Sequence, residues 1–142
     1  MNSFITNTQM ASLVEAIQTA ESHSSGEIRV HIDSNTDHDN AKKAFEVFKS
    51  LCYNQTAERN AVLIHVNFEE RYLTIIGDEG IHHHVHQDFW DQLHDKTTNA
   101  FAKGLFYEGL KNAILETGLE LKKHFPFSGE NINELSDEIT FS

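Results

Sequence analysis

The sequence predicts an α/β protein: a three-layer α/β/α sandwich around a small mixed β-sheet. Three observations carry this expectation. Helix-type and strand-type periodicities alternate along the first half of the chain. The run Ala61–Val66 is almost continuously apolar, as in a strand covered on both faces. The segment Asn67–Arg71 that follows is too short for a parallel crossover, so the next strand must return antiparallel.

Each element has its own signal. Thr6 and Gln9 stand at capping-box spacing, and Ile5 and Met10 match a hydrophobic staple. Met10, Leu13, Val14 and Ile17 then repeat with helical period, and Ser22 to Gly26 ends that helix. Glu27 to Asp33 alternates with period two, which puts Ile28, Val30 and Ile32 on the core side of a strand. After a polar loop, Ala41, Ala44, Phe45, Phe48 and Leu51 mark a second amphipathic helix. Ala61–Val66 and Tyr72–Ile76 are the second and third strands. Val85, Phe89, Leu93 and Phe101 predict a third helix, closed by Gly104 in the place of a C-terminal cap. Leu110, Ala113, Ile114, Gly118 and Leu121 predict a fourth, stopped by Pro126. Residues 1–126 therefore read as one domain, and 127–142 as an acidic tail with Ile139 and Phe141 as its late apolar anchors.

At 142 residues, 39% hydrophobic and 23% charged, the chain has ordinary single-domain composition. Eleven basic residues against twenty-two acidic ones leave a formal charge of −11. That balance argues against nucleic acid and anionic lipid, whose phosphates are gripped by clustered Lys and Arg, and favours cations or basic partners. The single cysteine, Cys52, excludes an internal disulfide, and its apolar neighbours Phe48, Leu51 and Tyr53 predict a passive buried thiol. No basic and apolar leader opens the sequence, and no window approaches the ~18 apolar residues of a membrane span. A cytoplasmic protein is the expectation.

With the first two strands parallel through a right-handed crossover, the topology gathers acidic residues at two rims. At one, the end of the third strand brings Asp78 and Glu79 beside Glu27 and Arg59. Carboxylates from two strand ends supply the hard oxygen ligands that Ca²⁺ and Mg²⁺ take; the competing structural reading is a Glu27–Arg59 salt bridge and a turn held by Asp78. The other rim carries Asp33, Asn35, Asp37 and Asp39, oxygen donors at alternate positions, which is the opening rhythm of a calcium loop. The EF-hand pattern is incomplete there, since His38 and Ala44 stand where glycine and the bidentate glutamate belong. The loop lies at the carboxyl ends of parallel strands, where open α/β sheets form their crevice. Its structural alternative is that Asp37 or Asp39 caps the second helix.

His82 and His86 would share a helix face at a spacing used by zinc sites, but no third ligand is fixed by sequence. The chain has no Gly-rich phosphate cradle, no cysteine–arginine phosphatase loop and no G-x-S-x-G elbow. Any hydrolysis would have to be metal-assisted, with Arg59 steadying a phosphate.

Ser25-Gly26-Glu27-Ile28-Arg29-Val30, Arg59-Asn60-Ala61-Val62-Leu63-Ile64, Gly77-Asp78-Glu79-Gly80-Ile81 and Phe89-Trp90-Asp91 resemble the TPM-domain family. Gly104, Gly109-Leu110, Lys122-Lys123-His124-Phe125-Pro126 and the tail segment 134–139 extend the likeness over essentially the whole chain, as in short cytoplasmic bacterial members. The resemblance implies an α/β/α fold and binding of calcium or magnesium. Some plant thylakoid relatives, tied to photosystem II repair, are credited with acid phosphatase activity, and other members act without catalysis in the assembly of membrane complexes. Many members carry a signal peptide and a membrane anchor, neither of which is seen in this sequence. The reading is a divalent-cation-binding, non-enzymatic binding or interaction protein, with an as yet unidentified protein partner. The alternatives are a metal-dependent acid-phosphatase-like hydrolase and an adaptor that uses no metal.

Overall fold

The computed structural model describes residues 4–35, 39–53, 55–126 and 136–142. The Thr6 side chain accepts the Gln9 N–H and the Gln9 side chain accepts the Thr6 N–H, so the capping box starts α1 (Asn7–Glu21) as the sequence predicts. Leu13, Ala16, Ile17 and Ala20 form its buried face. β1 (Glu27–Ile32) leads into α2 (Asn40–Leu51), β2 (Ala61–Asn67) and β3 (Tyr72–Gly77). β1 and β2 are parallel, with Glu27 opposite Ala61 and Ile32 opposite Val66, and β2 and β3 form the antiparallel hairpin. Arg71 closes that hairpin at a φ of 54°, in the left-handed region.

The expected third helix forms, but it starts just after Val85, and a separate one-turn helix precedes it. Asp78 caps the one-turn α3 (Glu79–His82), and α4 (Gln87–Ala102) begins after His86. Val85 lies between them with its side chain buried, so it belongs to the core without belonging to a helix. His82 and His86 consequently sit on different elements and do not share a helix face. Gly104, at φ +79°, ends α4 as expected: its N–H donates to Phe101 O at 3.0 Å, and that of Leu105 to Ala100 O at 2.9 Å. α5 (Phe106–His124) completes the helical layer, crossing α1 closely where Gly118 meets Ala20.

The tail contributes a fourth strand. β4 (Thr140–Phe141) pairs in parallel with His31 and Ile32, giving the sheet order β3-β2-β1-β4. Ile139 is buried, whereas Phe141 is 56% exposed. One face of the sheet presents Ile28, Val30, Ile32, Val62, Ile64 and Val66 to a core shared with α1, α4 and α5. The other face sets Ala61 and Leu63 against Val47, Phe48 and Cys52 of the α2 region. Both faces are thus covered, and the α/β/α layering is complete. Among the described residues no helix is long and apolar enough to cross a membrane.

Candidate functional site

The rim formed by the amino ends of β1 and β2 and the carboxyl end of β3 is organised by Arg59. Its guanidinium donates to Asp78 Oδ1 at 3.3 Å and to Glu79 Oε2 at 3.0 Å, and it lies 4.8 Å from the Tyr53 ring centroid. The Asp78 side chain is 1% exposed, and its Oδ1 also accepts the Glu79 N–H at 2.8 Å as the cap of α3. Arg59 itself has a φ of 53°, and its carbonyl accepts the Gly80 N–H at 2.7 Å. The chain therefore enters β2 through a left-handed residue locked to α3. Of the residues expected at this rim, Arg59, Asp78 and Glu79 meet directly. Glu27 is buried at the start of β1, where its charge acts on Glu21.

At the carboxyl ends of β1 and β2, Asp33 continues the sheet by donating its N–H to Val66 O at 2.8 Å. Its Oδ1 accepts the Asn35 N–H at 2.9 Å, and its Oδ2 lies 3.5 Å from His65 Nε2. Asp39 caps α2 by accepting the Ala41 and Lys42 N–H groups at 3.0 and 3.2 Å. Asp37 lies outside the described residues. Asn67 ties this rim together: its amide donates to the Asn35 carbonyl at 3.0 Å and to Asn40 Oδ1 at 3.3 Å, and its Oδ1 accepts the Glu70 N–H at 3.3 Å. Glu70 Oε1 in turn accepts from Asn40 Nδ2 at 2.6 Å. Asn35 and Asp39 thus gain Asn40, Asn67 and Glu70 as neighbours. Sequence spacing does not single out these three, because the β2–β3 turn and the first residue of α2 meet only in the fold.

Two further titratable groups escape sequence reasoning. Glu21, at the end of α1, is buried, and its Oε2 accepts the Ile28 N–H at 2.7 Å. Burial, followed by a side-chain hydrogen bond with Asp137, pushes its carboxyl up to about 10. His31 stacks on His65 at 5.5 Å, and its Nδ1 and Nε2 each lie 2.7 Å from a hydroxyl, Thr140 Oγ1 and Ser142 Oγ. Burial, then the neighbouring His65, lowers it to about 4. Strand alternation marks His31 only as facing away from the main core; that β4 covers it is a tertiary fact. Among the described residues, no three His, Cys, Asp or Glu side chains form a ready metal cage.

Comparison with known proteins agrees with this architecture. The family model described as the TPM domain matches residues 1–118. The solution structure of the BA42 protein from the psychrophilic bacterium Bizionia argentinensis is 35% identical, with a TM-score of 0.89 over 100% of this chain and 98% of that one. The N-terminal domain of a P. gingivalis protein shares the fold at 16% identity and a TM-score of 0.72, over 89% of this chain and 83% of that one. The N-terminal domain of a Corynebacterium glutamicum protein does so at 15% identity and a TM-score of 0.66, covering 87% and 78%. No curated protein sequence matches the chain.

Proposed function

Since the chain belongs to the TPM-domain family, we propose that it is a non-catalytic binding domain that takes calcium or magnesium at the rim built around Asn67. The observation that carries this reading is the contrast between the two rims. At the Asp78–Glu79 rim a guanidinium already balances the two carboxylates. Around Asn67, the Asn35 carbonyl, Asn40 Oδ1 and Glu70 Oε1 converge on an uncharged amide NH₂, that of Asn67, which a cation would displace. Carbonyl, amide and carboxylate oxygens are the mixed donor set that suits a hard cation. With no ready carboxylate cage among the described residues, the expected affinity falls in the weak class, with a Kd of about 10⁻⁴–10⁻³ M.

A bound cation would supply positive charge and cross-link the β1–α2 loop to the β2–β3 turn. Hydrolysis asks for more. Arg59, the candidate phosphate-holding cation, lies at the opposite end of β2 from this oxygen cluster, roughly 20 Å away for a seven-residue strand. Metal at the Asn67 rim and phosphate at Arg59 could not act on one substrate, which favours binding over catalysis.

A calcium titration of chelator-treated protein, followed by amide NMR shifts and Tm, tests the proposal. Calcium should raise Tm by linkage and shift the amides of Asn35, Asn40, Asn67 and Glu70. Glu70→Gln should weaken binding about five-fold or more, while Asp78→Asn leaves it unchanged. Weakening by Asp78→Asn alone would move the cation to the other rim. Equal small losses from both would mean diffuse attraction by an acidic surface.

A further inference from the structure

A cavity of about 420 Å³ opens at the carboxyl end of β1, within the roughly 300–1,000 Å³ range of small-molecule pockets. Its position follows from the topology. β1 lies between β2 and β4 and is parallel to both. The connection to β2 runs through α2 on one face of the sheet, while β4 follows α5, which packs on the other. That divergence is a topological switch point, the crevice in which open α/β sheets bind ligands.

The lining has a definite chemistry. Phe4, Met10, Ile32, Phe68 and Phe141 supply apolar and aromatic walls. The charged lining residues are Asp33 and Glu69, and among the described residues no Lys, Arg or His joins them. Asp33 directs its oxygens to Asn35 and His65, so Glu69, which is exposed, is the carboxylate that a ligand meets. The start of α1 also borders the cavity, but its dipole is worth about half a positive charge, and two of its first N–H-side groups are engaged by the capping box. Aromatic faces beside a carboxylate attract an ammonium group and repel a carboxylate or phosphate.

We propose that this cavity is a binding site for a small organic amine, whose aromatic or branched aliphatic body fills the apolar walls while its ammonium group pairs with Glu69. The cavity borders the Asn67 rim and shares Asp33 with it, but its ligand pairs with Glu69, so the proposal stands without cation binding.

Amide NMR titrations of the full chain in EDTA, with phenethylamine and its acidic counterpart 3-phenylpropionate as probes, test it. Phenethylamine should shift the amides of Met10, Ile32, Phe68 and Phe141 saturably and bind at least about ten-fold more tightly than 3-phenylpropionate. Glu69→Gln should weaken the amine about three- to five-fold and leave the acid unaffected or improved. Phe141→Ala, at a position that is 56% exposed, should weaken both by removing a wall. Absence of saturable shifts, equal binding of the two probes, or indifference to both substitutions would overturn the proposal. So would concentration-dependent shifts of the same amides without any probe, which would assign the cavity to a second copy of the chain.

Discussion

Glu21 and His31 give the stability of the protein two opposing pH dependences. With its carboxyl raised to about 10 against an ordinary 4.5, Glu21 keeps a proton in the native state that the unfolded chain releases. Its contribution is therefore full below about pH 4.5 and is lost progressively as pH rises toward the folded value. His31, lowered to about 4 from 6.5, does the reverse: its contribution is present above pH 6.5 and is lost as pH falls through the folded value. Glu21→Gln keeps an oxygen for the Ile28 N–H and provides a neutral donor for Asp137. The variant should match the wild type near pH 4.5 and melt at a higher temperature by pH 8, with a gap that widens with pH. Thermal melts of both proteins at pH 4.5, 6 and 8 measure it, and parallel curves would refute the buried proton. Neither residue announces itself in the sequence. Glu21 reads as the polar end of an amphipathic helix, because its partner Asp137 comes from the far end of the chain. Cys52 is the contrasting case: its apolar neighbours predict a passive thiol, and it is buried, with burial pushing it up to about 12.

Among the elements, those whose limits are set by local chemistry were legible and those set by tertiary packing were not. The Thr6–Gln9 box and the Gly104 cap use atoms only a few residues apart, so spacing predicts them. The helix expected to begin near Val85 starts two residues later, at Gln87, because Val85 is drawn into the core from an irregular segment, and the additional turn α3 is anchored by Asp78 and by the Gly80–Arg59 hydrogen bond. The same distinction separates two glycines. A Cβ on Gly80 would lie 2.0 Å from the Glu58 carbonyl oxygen and 2.6 Å from that of Arg59, both backbone atoms that cannot swing aside. Gly104 has nothing within 4 Å of its Cβ position, and only its φ of +79° resists a side chain. Gly80→Ala should cost about 3 kcal/mol by forcing α3 off the entrance to β2. Gly104→Ala should cost about 1 kcal/mol, the strain of one left-handed residue. Urea unfolding of the two variants checks the order, and equal losses would show that α3 moves freely to admit a methyl group.

For the whole molecule, the sheet is complete only when the tail returns to it. The acidic stretch after Pro126 has few apolar residues, and composition alone does not decide whether it packs. What decides it is the outer edge of β1, which offers a row of backbone groups, a buried histidine and an apolar neighbourhood. Residues 136–142 meet all three. Ser142 donates its N–H to Ile32 O at 3.0 Å, Thr140 and Ser142 bring their hydroxyls to His31, and Ile139 joins the main core. Removing residues 136–142 should therefore expose the β1 edge, strip His31 of both hydroxyl partners and take Asp137 from Glu21. Loss of the Ile139 side chain alone is worth about 1.5–3 kcal/mol of apolar burial. The truncated protein should melt at a markedly lower temperature and, with an uncovered edge strand, self-associate as its concentration rises. Ile139→Ala in the full-length chain separates the two effects: it should lower Tm while β4 still covers the edge, and light scattering should find it as monodisperse as the wild type. A truncated protein with unchanged Tm would mean that β4 adds nothing to the fold, and the pairing with His31 and Ile32 would then be an ornament of the sheet rather than part of its closure.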